Sequence, residues 1–166
     1  MSLDDLDHRL LTRAVELAEE AVDAGDEPFG SVLAGADGTV LAEDRNRVVS
    51  TGDPTAHPEI ALARWAALHL DADARAAATV YTSGEHCPMC AAAHGWVGLA
   101  RIVYASSTAQ LQAWSRAWSA GDVAAEGVPV VVPLPVQQVA PRVRVEGPDD
   151  RLAPRVHALH ERFRRS

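Results

Sequence analysis

Lysine is absent from this 166-residue chain. All 15 basic residues are arginine, and 23 acidic residues outweigh them to give a net charge of −8. A field of that sign works against tight binding of a nucleic-acid backbone, so nucleic acid is not an expected partner. Cysteine is almost absent as well. Two residues, Cys87 and Cys90, are too few for a secreted disulfide scaffold, and a reducing, cytoplasmic setting is the expectation. No apolar run approaches the roughly 20 residues that span a bilayer. The acidic start MSLDDLDHRLL lacks the basic opening and apolar run of a signal peptide, so no membrane partner is expected.

What is present is ordinary for a globular protein. Hydrophobic residues make up 48% of the chain and charged residues 23%, and the length suits one domain over residues 1–166 with a continuous core. The arginine-dense stretch at the C-terminus reads as a solvated last helix whose basic residues sit near the negative end of its dipole.

Apolar residues at three- and four-residue steps predict a helix over Asp4 to Ala24. FGSVLAGADGTVLAED reads as a hairpin turning at Asp37-Gly38. A second helix is expected from His57 to Leu70, a strand at Thr79–Thr82, a helix from Pro88 to Val97 and a strand at Arg101–Tyr104. TAQLQAWSRAW predicts another helix, VPVVVP a short buried strand, Pro133 to Pro148 an extended connection, and Arg151 to Arg164 a closing helix. Strand pairs followed by alternating helices and strands imply a three-layer α/β/α sandwich on a mixed sheet of about five strands.

Two segments are built alike. In AHPEIALAR a histidine precedes a proline, and in EHCPMCAAA a cysteine does so. Proline suits the first position of a helix, so His57 and Cys87 each stand at a helix start, with Glu59 and Cys90 in the first turns. Helix N-termini carry partial positive charge and favour thiolate over thiol. Two such ends facing one another would offer one imidazole, two thiolates and one free carboxylate to a single point. Three protein ligands on zinc leave a fourth position for water, the mark of a catalytic site.

Other readings compete. The cysteine pair could be a thioredoxin-like redox motif, which leaves His57-Pro58-Glu59 unexplained. It could belong to a structural zinc site closed by His86 or His94, which leaves Glu59 without a task. His94 by itself reads as a packed helix residue, and Trp114 and Trp118 as core or interface.

His57-Pro58-Glu59 followed 30 residues after His57 by Cys87-Pro88-Met89-Cys90 resembles the cytidine-deaminase-like zinc deaminases, whose signature is H-x-E and then P-C-x-x-C. EPFGSVL, NRV, DPTAHPE and CPMC look most like guanine deaminase and related nucleobase or nucleoside deaminases, with the bacterial tRNA adenosine deaminases close by. The resemblance implies zinc held by His57, Cys87 and Cys90, and a proton shuttle at Glu59. It implies base recognition by Asn46 and aromatic pocket positions at Phe29 and Trp96, and it implies a homodimer acting on a small nucleobase or nucleoside. Two departures stand out. His86 replaces the usual proline before the first cysteine, which alters the pocket rim. The acid that orients guanine in guanine deaminases has only Asp122 or Glu126 as counterparts here.

Overall fold

The computed structural model describes residues 3–119 and 130–166. Five strands form one sheet in the order β2-β1-β3-β4-β5. β1 (Gly30–Ala34) pairs antiparallel with β2 (Val40–Arg45) and with β3 (Thr79–Gly84). β3, β4 (Arg101–Ser106) and β5 (Arg144–Glu146) run parallel. The sheet is therefore mixed, as expected.

Helices cover both faces. On one side lies α1 (Asp5–Asp23), whose start is closed by a reciprocal cap between Asp4 and Asp7. Its buried stripe, including Leu11, Ala14, Val15 and Ala18, meets Val32, Tyr81 and Val103 of the sheet. α1 approaches β1 so closely that a side chain at Gly30 would stand 2.5 Å from the Ala14 carbonyl oxygen; only glycine fits there. After the short α2 (Val48–Thr51), α3 (Pro58–His69) covers the other face through Leu62, Ala63 and Ala66, packed with Leu33 and Val80. α4 (Ala72–Ala77) leads into β3, and α5 (Pro88–Val97) packs beside α3. α6 (Thr108–Trp118) follows β4. α7 (Val136–Val139) precedes β5, and α8 (Ala153–Arg165) closes the layer beside α1.

One expected strand is not where the sequence put it. Val130, Val131 and Val132 of VPVVVP are 104%, 61% and 56% exposed and lie outside any strand. The fifth strand comes instead from the stretch expected to be a plain connection, where Val145 pairs with Ile102. A β-branched run has strand propensity, but burial against neighbours decides whether it pairs.

Arg101 locks this edge of the sheet to α1. Its guanidinium donates to Asp7 at 2.7 and 2.9 Å and to Glu146 at 3.0 and 3.1 Å, while the Tyr81 hydroxyl donates to Asp7 at 2.8 Å. The hydrogen bonds from Arg101 hold both carboxyls below their ordinary values. Removing one partner of a buried pair costs about 3–5 kcal/mol; with Arg101 19% exposed, Arg101→Met should cost about 2–4 kcal/mol at pH 7. A carboxyl with a depressed folded-state pKa contributes stability above its unfolded value near 4, and loses it as pH falls through the folded value. Urea unfolding should therefore show the gap between wild type and variant narrowing from pH 7 to pH 3. An equal gap at both would show that the ion pairs contribute little.

Candidate metal centre and catalytic cleft

The parallel strands β3 and β4 end side by side at Gly84 and Ser106, and a cleft opens beyond their carboxyl ends. Ligand sites in open α/β sheets form at such edges. The starts of α3 and α5 both point there. His57 and Cys87 are their N-caps, in extended conformations, and proline follows each. Neither side chain makes the usual cap hydrogen bond, and both turn toward the space between the two helix starts.

They meet. The His57 Nδ1 lies 3.7 Å from the Cys87 Sγ and 3.7 Å from the Cys90 Sγ, and all three atoms lie within 4.8 Å of one another. A tetrahedral zinc with nitrogen at about 2.0–2.1 Å and sulfur at about 2.3 Å holds such atoms about 3.6 Å apart. The donor set and spacing therefore fit zinc.

The electrostatics agree. The hydrogen bond from Cys90, reinforced by His57, lowers the Cys87 thiol to about 4. The same bond, with burial, raises Cys90. His57 is raised, chiefly by its contact with Cys87. Glu59, 5% exposed in the first turn of α3, is pushed up to about 7 by burial against the pull of His57. A carboxyl poised near neutrality can both take and give a proton at physiological pH.

The cleft has a volume of about 100 Å³, and Phe29, His57, Glu59, Glu85, Cys87 and Leu111 are among its walls. Phe29 lies against the end of β3, where a side chain at Gly84 would come within 2.9 Å of its ring. Glu85 was not singled out from sequence. Its two oxygens accept from the Thr108 amide at 2.8 Å and the Val136 amide at 2.9 Å, so one carboxylate anchors the starts of α6 and α7 around the cleft. Nothing local in the sequence signals that role, because both amides are distant along the chain.

Three residues expected at the pocket are not among the walls of the cleft. Trp96 is 88% exposed on α5: the inward face of that helix carries Cys90, Ala91 and His94, and two further residues turn the chain about 200°. His86 is fully buried and packs edge-on against His94, with ring centroids 5.3 Å apart. It stands between Glu85 and Cys87, which line the cleft, and alternation along extended chain turns it the other way. Asn46 is fully buried, and its backbone amide donates to the carbonyl of Phe29 at 2.9 Å. Its oxygen accepts from the Val48 amide at 2.9 Å in an Asx turn, and its nitrogen donates to Glu27 at 3.3 Å. Asp122 and Glu126 lie outside the described residues.

Comparison with known proteins agrees with this geometry. Residues 4–106 match the family described as the cytidine and deoxycytidylate deaminase zinc-binding region. Guanine deaminase of Bacillus subtilis is 43% identical over 97 residues, covering 58% of this chain and 62% of that protein. A tRNA-specific adenosine deaminase of Haemophilus influenzae is 32% identical over 103 residues, covering 62% of this chain and 60% of its own length. The chain thus spans less than two thirds of these curated relatives. Guanine deaminase from Nitrosomonas europaea shares the fold with a TM-score of 0.70 at 20% identity, over 95% of this chain and 84% of that one. With the matched region holding His57, Glu59, Cys87 and Cys90 at one cleft, this chain belongs to the cytidine and deoxycytidylate deaminase zinc-binding family.

Proposed function

We propose that this protein is a zinc-dependent hydrolytic deaminase of a nucleobase or nucleoside, acting on an amino-substituted ring of guanine or cytosine type. One observation carries the reading: the ligand atoms of His57, Cys87 and Cys90 lie within 4.8 Å of one another beside a buried carboxyl pushed up to about 7, at the wall of one small cleft. His57, Cys87 and Cys90 would hold zinc, which when bound would supply Lewis acidity and lower the pKa of water toward 7. Glu59 takes one proton from the attacking water and passes it to the ring nitrogen, then takes the second from the new hydroxyl and passes it to the departing amine. The carbon–nitrogen bond breaks, a carbonyl forms on the ring, and ammonia leaves. Phe29 and Leu111 hold the ring and keep bulk water out. Asn46 donates to Glu27 and fixes the position of that carboxylate.

The likeness to Bacillus subtilis guanine deaminase favours a small substrate. The likeness to tRNA-specific adenosine deaminase supports a second reading, conversion of adenosine to inosine within tRNA. The charge distribution favours the first. Of the arginines on α8, Arg155 pairs with Glu19 at 2.7 Å, Arg162 pairs with Asp23, and Arg165 contacts Glu161 at 3.6 Å. Three of the four arginines on α8 thus lie beside acids, in a chain of net charge −8. A panel of free bases, nucleosides and triazines followed for ammonia release should yield turnover on at least one isolated ring. Efficient deamination of an anticodon stem-loop with every small substrate ignored would reverse the choice.

A further inference from the structure

Four residues that line the cleft come from two segments holding neither a metal ligand nor the shuttle: Thr108 and Leu111 on α6, and Pro133 and Leu134 just before α7. Glu85 ties both segments to the cleft. Its Oε2 accepts from the Thr108 amide at 2.8 Å, and its Oε1 from the Val136 amide at 2.9 Å. Its own amide donates to the Ser106 carbonyl at 2.8 Å, just ahead of α6. Gln112 joins the two segments to each other, its side chain donating to the Pro133 carbonyl at 2.9 Å.

The two helix starts use this carboxylate for different reasons. At α6 the cap residue Ser107 accepts from the Gln110 amide, which leaves the Thr108 amide without an acceptor in its own helix. A carboxylate there also meets the positive end of the helix dipole. α7 is a single turn whose cap, Pro135, makes no side-chain hydrogen bond, so Glu85 supplies the acceptor for its first amide. The Val136 side chain is fully buried in a cluster with Ile102 and Tyr104, which fixes that segment against the sheet. Glu85 directly follows Gly84, the last residue of β3, and stands two residues before Cys87. One short stretch of backbone therefore carries a metal ligand and the tie to the remaining walls.

We infer that Glu85 is a positioning residue of the deamination site: it sets the placement of the walls on α6 and at residues 133–134 relative to the metal side, and so governs substrate affinity. Both of its oxygens already accept from protein amides, and its effect reaches the bound ring through Leu111 and Leu134. A merely structural tie would show in stability alone, whereas a positioning residue shows in KM. This inference rests on the deaminase reading for the reaction that Glu85 serves.

The test uses the zinc-loaded full chain and the base or nucleoside of the panel that it turns over best. Glu85→Ala releases both amides. Glu85→Gln keeps the shape but presents an NH2 group to one of them, and it serves if the alanine variant does not fold. KM should rise about tenfold in Glu85→Gln, the worth of one such hydrogen bond, with kcat within about threefold of wild type and zinc content unchanged. Deuterium exchange at Thr108 or Val136 should quicken, while the Ala91 amide, which donates to Cys87 within α5, keeps its protection. Thr108→Pro removes a donor instead. Thr108 opens α6 after an extended Ser107, a place that accepts proline, so the helix start survives. KM should rise there too, and Thr108→Ala, which keeps the amide, measures the part due to the side chain alone. On the Glu85→Ala background, Thr108→Pro should change KM no more than Thr108→Ala does, because the contact is already broken. Unchanged KM in the folded variants, a fall in kcat alone, unchanged exchange at both amides, or a proline effect that persists undiminished without Glu85 would overturn the inference and leave the deaminase reading intact. A wild type that releases no ammonia from any compound would overturn the deaminase reading and the inference with it.

Discussion

Glu59→Gln should lower the rate of ammonia release by roughly 10²–10⁴-fold, the usual worth of a general acid–base group, while zinc stays bound. Glutamine keeps the shape of the side chain and loses the titratable proton. Glu59 lies in the first turn of α3 and is 5% exposed, and burial sets its pKa to about 7. Glu59 stands beside the ligand set, accepting from the Cys90 thiol at 3.8 Å, and the three atoms grouped as a candidate metal site come from His57, Cys87 and Cys90. Folded stability should hold or rise slightly, since an amide is cheaper to bury than a carboxylate. Parallel measurement of ammonia, zinc content and thermal midpoint decides the matter. Zinc lost together with activity would make Glu59 a ligand, and activity within tenfold of wild type would remove it from the chemistry.

Cys90→Ala should reduce zinc from about one ion per chain to below about one tenth, because two protein ligands hold the ion far more weakly than three. Activity should disappear with the metal. Chelation of the wild type should reproduce the loss, and zinc should restore it, whereas zinc should not rescue the variant. Metal-edge scattering on the loaded wild type should show two sulfurs and two lighter atoms. His86 and His94 pack against each other and stand outside the converging ligand atoms, so replacing His94 with glutamine should leave zinc content unchanged. Zinc lost from that variant would indicate a closed, structural site instead.

Much of this site could be read directly from the chain, and the reasons are local. Proline after His57 and after Cys87 marks two helix starts by a rule of backbone geometry, and a cap residue has a nearly fixed position relative to its helix. Glu59 and Cys90 then follow by helical spacing. The order of elements implied a mixed five-stranded sheet between helical layers, because β3, β4 and their helices alternate along the chain.

Where each side chain points was decided by packing. A helix position is called inward or outward only once the helix has docked, which is why Trp96 faces solvent while His94, two residues earlier, is buried. His86 was turned away from the cleft by alternation through a segment whose extended conformation follows from β3. The valines at 130–132 have the composition of a strand but no neighbour to pair with, whereas the polar three-residue β5 pairs because Ile102 and Arg101 lie beside it. The role of Glu85 depends on segments far apart along the chain meeting in space. The sequence by itself determined the helix starts that bring His57, Cys87, Glu59 and Cys90 together and the layered fold, since these rest on short-range spacing and helix-start chemistry. Only the tertiary structure decided the walls of the cleft, the fifth strand and the tie through Glu85, since each is a contact between distant segments and no local propensity encodes it.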